Sequence, residues 1–212
     1  MDMRFAGKGT VPPGEYKKVS LSGGGRLFGE VRCTTFTASG SCKGEHVTCT
    51  QSFKTSGTAT FSGSVKAKSI RAAGSLTAGD DLAAEDVLSV FGSLRVGGDA
   101  RAKIIRIAGA ARVSGTLCAE KIELQADKRM YAKSVHGSVV LMKRKRVSLF
   151  PRRGFSVSDN VEGDTLLLEY VTAPRVTGRA VTVGKGCKIA LVQYREQITI
   201  SPKAEVGKVE KV

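Results

Sequence analysis

A repeat of about seventeen residues fills positions 23–126 and restricts the architecture more than any local propensity does. Glycine opens each unit at Gly23, Gly40, Gly57, Gly74, Gly92 and Gly109, in steps of 17, 17, 17, 18 and 17. Thirteen residues after each glycine stands a large apolar residue: Phe36, Phe53, Ile70, Val87, Ile105 and Ile122. A fixed period of this length marks a chain built from stacked, nearly identical supersecondary units.

Within the unit 57–73, apolar residues alternate with polar ones in three short segments: Ala59 and Phe61, Val65 and Ala67, Ile70 and Ala72. Alternation of period two is a strand signal. The following units repeat it with Leu76, Ala78, Leu82, Ala84, Val87 and Ser89, then Leu94, Val96, Ala100, Ala102, Ile105 and Ile107. Gly63, Gly98 and Gly115 fall at corners, where a bend can require positive φ. Three strands and three corners close one triangular coil. Equivalent strands of successive coils pair in parallel about 4.8 Å apart, so six coils make a rod of roughly 30 Å. The expected fold is therefore all-β, a right-handed parallel β-helix with about 17 residues per three-strand coil, because parallel crossovers are overwhelmingly right-handed. The left-handed hexapeptide helix is the competitor. Uneven spacing of the inward pairs and a coil one residue short of eighteen disfavour it.

Composition agrees. The chain lacks tryptophan and has 25 glycines in 212 residues, which suits narrow coils better than a wide globular core. No apolar run reaches the length of a membrane span, and MDMRFAGKG lacks the apolar core of a secretion signal. The expected location is cytoplasmic, with membrane association as an extension of it. Five cysteines, an odd number without paired metal spacing, fit that compartment. Aligning 29–33 with 44–49 puts Cys33 and Cys49 in one inward column, near disulfide distance, although small buried apolar side chains are the plainer reading. Cys42 is inward, Cys118 outward, and Cys187 follows a turn.

The net charge of +15 is partly local. Asp127 to Asn160 holds nine Lys or Arg and two Asp, densest at Lys143, Arg144, Lys145 and Arg146, with Arg152 and Arg153 beyond. Such a run attracts anionic lipid or nucleic acid, or is a solvated loop. Nucleic acid ranks lower, because no aromatic interleaving marks a stacking platform.

In chain order, residues 1–13 read as a disordered arm, 14–142 as the β-helix block, 143–160 as a flexible basic loop, 161–201 as irregular closing coils, and 202–212 as a frayed basic tail. An open solenoid end is a sheet edge that must be capped or used for assembly. The residues expected to carry self-assembly are Tyr16, Val19, Leu21, Leu27 and Phe28 at one end, and Ile189, Leu191, Ile198 and Ile200 at the other. Phe28 is placed outward by the alternation.

Enzyme readings find little support. An acyltransferase needs a histidine base; only His46 and His136 exist, both at corners or turns. A glycan-cleaving β-helix needs paired carboxylates on one face; Asp80-Asp81 and Glu85-Asp86 sit at corners of the single eighteen-residue unit. Gly23-Gly24-Gly25 and Gly184-Lys185-Gly186 precede no helix, so no phosphate cradle is formed, and no cofactor is expected.

The segments GGGRLFGEVRC (23–33) and GSVKAKSIRAAGSL (63–76), with VEGDTLLLEYVTAPRVTG (161–178), VTVGKGCKIALVQY (181–194) and PKAEVGK (202–208), resemble the bactofilins. These are polymer-forming bacterial cytoskeletal proteins, and the likeness is to a longer branch common in Gram-positive bacteria. It runs from about residue 14 to the end and omits the basic stretch. The resemblance implies a right-handed β-helix that polymerises without nucleotide by end-to-end apolar stacking. It implies a scaffold whose first partner is itself, with anionic membrane or cell-envelope and cytoskeletal proteins as further partners, and no catalytic residues. The alternative is a non-polymerising β-helix that binds an anionic membrane or nucleic acid through its basic loop.

Overall fold

The alternation of large inward and polar outward residues, repeated every seventeen positions, winds the chain into a parallel β-solenoid of about twelve turns. A computed structural model describes residues 1–144 and 154–212, and among these every element is a strand. The strands are β1 (Asp2–Val11), β2 (Gly14–Leu27), β3 (Glu30–Gly44), β4 (His46–Phe61), β5 (Val65–Ala78), β6 (Leu82–Val96) and β7 (Ala100–Arg101). Then follow β8 (Ile104–Arg144), β9 (Phe155–Val157), β10 (Asn160–Leu168), β11 (Val171–Val183), β12 (Lys188–Ile200) and β13 (Glu205–Lys211). Most pass through a corner without breaking, and β8 winds on itself. No described helix is long and apolar enough to cross a membrane.

Each coil has three faces. In the coil of β4, face I directs Val47 and Cys49 inward, face II Phe53 and Thr55, and face III Ala59 and Phe61. Every ladder is parallel, and partners differ by one coil: Val47 pairs with Val65, Phe53 with Ile70, Gly57 with Gly74 and Phe61 with Ala78. The core is a set of stacked columns. In one of them the rings of Phe36 and Phe53 stack with centroids 4.9 Å apart and planes 7° from parallel. Phe61 meets both edge-on.

The repeat-opening glycines form a column at the corner between faces II and III, and Gly7 extends it. φ is positive at Gly7, Gly23, Gly40, Gly57, Gly74, Gly92 and Gly109, from +98° to +130°. From Gly23 on, a Cβ at each would lie 2.0–2.8 Å from the carbonyl oxygen of the column glycine one coil earlier. Both backbone conformation and stacking distance therefore require glycine. Gly63, Gly98 and Gly115 do not have positive φ. They are small because the His46 ring and the Asp81 and Asp99 carboxylates fold over them.

Four sequence expectations need correction. Residues 2–11 form a strand in register with β2, from Asp2 opposite Lys18 to Val11 opposite Leu27, because Met3, Phe5, Gly7 and Val11 repeat the pattern of Val19, Leu21, Gly23 and Leu27. The tail contributes β13, paired on β12 from Lys188–Glu205 to Tyr194–Lys211, with Ala204 and Val206 packed against the core. Part of the basic stretch is solenoid: Phe155 and Val157 are buried on β9, and Asn160 begins β10. In the eighteen-residue unit the extra residue falls before Val87, so Leu88 and Val90 face inward and pair with Ile70 and Ala72. Ser89 is buried between them, and Val87 is only half-buried.

Candidate assembly faces

The two ends of the solenoid are steps rather than flat discs. At the N-terminal end, β1 lays Met3 and Phe5 on face II over Val19 and Leu21, and Gly9 and Val11 on face III over Gly25 and Leu27. Face I begins one coil later, at Gly14–Tyr16 opposite Val31–Cys33, and among the described residues no strand pairs with its outer edge. Val19, Leu21 and Leu27 are consequently buried core residues, and the end is carried by Met3 and Phe5 instead. Tyr16 is half-buried, and its hydroxyl donates to the Pro12 carbonyl at 3.0 Å. Phe28 points outward, 45% exposed, with the Arg26 guanidinium 5.7 Å from its ring centroid.

The C-terminal step has the opposite shape. β13 covers face III with Ala204 and Val206 and face I with Val209, stacked on Cys187, Ile189 and Val192. Face II ends at Gln197–Ile200, paired with Ala180–Val183 below and, among the described residues, with no strand above. Ile189 is buried under β13, Leu191 is half-buried, and Ile198 and Ile200 stand at the open edge. Of the exposed large apolar residues described, Met1, Ile200, Val209 and Val212 lie at the ends, and Phe28 and Phe91 on the flank. Met3, Phe5 and Val209 were not among the expected end residues. The signal for them is the short i, i+2 spacing of Met3 and Phe5, and the match of Gly7 to the glycine column.

The basic stretch is divided. Lys143 is exposed at the end of β8, and Arg144 lies over the Tyr170 ring at 4.1 Å, with Lys185 Nζ 6.0 Å from the same ring. Tyr170 is the described non-glycine residue with positive φ, +56°, and its carbonyl accepts from the Phe155 amide at 2.9 Å. Both ends of the basic segment therefore meet one corner. Lys145, Arg146, Arg152 and Arg153 lie outside the described residues.

The histidines and acids serve corners and clefts. His46 Nδ1 accepts from the Ser64 amide at 3.1 Å. Asp81 Oδ1 accepts from the Asp99 amide, and Asp99 Oδ1 from the Thr116 amide, each at 2.8 Å. The Thr116 amide and then the Arg101 guanidinium hold the Asp99 carboxyl below the ordinary range. His136 Nε2 lies 2.9 Å from Asn160 Oδ1, beside an open cleft of about 550 Å³ that Glu162, Asp164 and Arg179 also line.

Four cysteines are buried and Cys118 is exposed. Cys33 and Cys49 are ladder partners with sulfurs 3.4 Å apart, as the column alignment predicts. Their shared hydrogen bond, then burial, pushes the Cys49 thiol up. Burial alone pushes Cys42 up to about 12.

No family model matches the chain, and no solved structure matches it. It is similar to the uncharacterized protein YhbF of Bacillus subtilis (strain 168), with 31% identity over 77 residues. That match spans 36% of this chain and 32% of the Bacillus protein, about a third of each.

Proposed function

We propose that this chain is a scaffold subunit that assembles with itself, without nucleotide and without catalysis, by stacking solenoid ends. The observation that carries the reading is the state of the ends. Inward apolar positions that a further coil covers elsewhere, at Met3, Phe5, Ile198, Ile200 and Val209, are not covered by any strand among the described residues. Their backbones also present unpaired strand edges, which a second chain pairs with readily. The resemblance to bactofilins supports the same reading and adds a cytoplasmic scaffold acting near the membrane.

Negative-stain electron microscopy of purified protein, free of nucleotide and over a range of salt, is the test. Thin unbranched filaments or sheets are expected. Uniform small particles at every salt and protein concentration overturn the reading.

A further inference from the structure

We infer that Cys33 and Cys49 form a two-electron redox site, a dithiol that hydrogen peroxide converts into a disulfide stapling two successive coils of the solenoid. The site lies inside the core and is independent of whether the protein assembles.

The geometry carries the inference. Cys33 on β3 and Cys49 on β4 are ladder partners, both directed inward on face I, with sulfurs 3.4 Å apart. Neighbouring strands run about 4.8 Å apart, inside the range of roughly 4.4–6.8 Å that a disulfide spans between Cα atoms. Closing the bond brings the sulfurs to about 2.05 Å and asks no coil to move away from its neighbour. The ladder is also interrupted directly after the pair. Thr34 faces both Thr50 and Gln51 before pairing resumes at Thr35 and Ser52. A bulge of this kind frees the strand locally from its ladder, which lets Cys49 adjust.

Packing alone does not call for two thiols here. The same column position holds Ala67 and Ala84 in the next coils, both buried, so alanine fills it. The other cysteines lack a partner sulfur. Cys42 stands on face III between Gly25 and Ala59. Cys187 donates to the Leu168 carbonyl at 3.3 Å, and Cys118 is exposed.

Burial selects the oxidant. The Cys33 and Cys49 side chains are 4% and 3% exposed, so a bulky disulfide such as oxidised glutathione cannot set its sulfurs against theirs, whereas a peroxide is little larger than water. The hydrogen bond from Cys49 favours the thiolate of Cys33 and keeps the proton on Cys49, and the thiolate is the nucleophile. Cys33 Sγ attacks one peroxide oxygen and the O–O bond breaks. The departing hydroxide takes up the proton that Cys33 released and becomes water, leaving a sulfenic acid on Cys33. Cys49 Sγ then attacks that sulfur, the S–O bond breaks, and the hydroxyl leaves as a second water with the Cys49 proton. The two thiols give up two electrons and two protons, and the peroxide accepts them. The disulfide closes a loop of sixteen residues and restricts the unfolded chain.

The test uses full-length protein carrying Cys118→Ser, so that no exposed thiol links two copies. Hydrogen peroxide is added to the folded protein, the remaining thiols are alkylated in denaturant, and intact mass counts them. Two of the four remaining thiols are expected to be protected, and dithiothreitol to restore both. Cys33→Ala and Cys49→Ala, which place the residue of the next coils, are expected to abolish the protection, and Cys42→Ala to keep it. Circular dichroism checks that each folds, and serine replaces alanine in any variant that does not. In Cys49→Ala, dimedone is expected to trap a sulfenic acid on Cys33; a label on Cys49 in Cys33→Ala instead overturns the order of attack. The oxidised protein is expected to have an unfolding constant in urea roughly a hundredfold smaller than the reduced protein, as for a closed loop of about fifteen residues; an unchanged constant overturns the staple. Four alkylated thiols after peroxide, a sulfinic acid on Cys33 without a cross-link, or protection that survives Cys49→Ala overturns the redox site. Oxidised glutathione acting as fast as peroxide at equal concentration overturns the choice of oxidant.

Discussion

Gly57 has φ +111°, and a Cβ on it would stand 2.3 Å from the Gly40 carbonyl oxygen. Alanine there meets two costs at once: a left-handed backbone disfavoured by about 1–2 kcal/mol, and overlap with a fixed carbonyl that forces neighbouring coils apart, typically 1–3 kcal/mol. Gly24 is a contrasting case in the same sequence motif. Its φ is not positive, and an added Cβ meets only the Lys8 side chain at 3.6 Å, an ordinary contact. Gly57→Ala is therefore expected to lose about 2–5 kcal/mol of stability, and Gly24→Ala to stay within about 0.5 kcal/mol. Urea unfolding midpoints of the two variants, measured side by side, check the contrast. Equal midpoints would mean that the column does not set the coil spacing. The period that announces this column is legible in the sequence, but its physical reason is not. Sequence spacing assigns the strained bends to Gly63, Gly98 and Gly115, and only the stacked coils reveal that the nearest crowding atoms at those three belong to side chains, with the Gly98 carbonyl added at Gly115.

At the scale of the coil, the corner between faces III and I is closed by side chains that reach one coil forward. Asp99 accepts the Thr116 amide and also pairs with Arg101 at 2.7 Å. Both partners favour the carboxylate, so its folded pKa lies below the unfolded one. The stability it contributes is then fully present above the unfolded value of about 3.9 and is lost as pH falls through the folded value. Asp99→Asn keeps the carbonyl acceptor and removes the titration. Its unfolding midpoint is expected to fall less steeply than that of the parent protein below about pH 4.5, and to differ from the parent mainly at neutral pH. Parallel pH profiles for the two proteins would show that the corner bond does not feel the charge. Regular coils of this kind are readable because inward positions recur: Ala59, Phe61, Val65, Ala67, Ile70 and Ala72 are all buried as the alternation predicts. The terminal elements are less readable. β1 carries Lys8 and Gly9 where most other coils carry hydroxyl or apolar residues, and β13 alternates Lys and Glu around single valines. Neither holds enough apolar residues to announce a strand alone. Each becomes one only because a finished coil offers it a ladder.

For the molecule as a whole, the end contacts and the net charge act in opposite directions. End stacking as proposed buries apolar residues at both ends, Met3 and Phe5 at one and Ile198, Ile200 and Val209 at the other. Two copies meeting end to end each bring a net charge of +15, so their long-range interaction is repulsive as well. Salt screens that repulsion: the Debye length shrinks from about 30 Å at 0.01 M to about 10 Å at 0.1 M. Apolar burial does not weaken over this range. Assembly held this way strengthens with ionic strength, and the protein concentration needed for pelleting should fall several-fold between about 0.01 M and 0.3 M sodium chloride. Assembly held by ion pairs, or by bridging anions bound to the basic residues, would behave oppositely and dissolve as salt rises. Sedimentation across a salt series separates the two, and a threshold that climbs with salt would place the adhesive contact on the charged flanks instead of the apolar ends. The same series run on Phe5→Lys assigns the effect to the solenoid ends. With one end disabled, the salt-dependent pellet should disappear at every ionic strength.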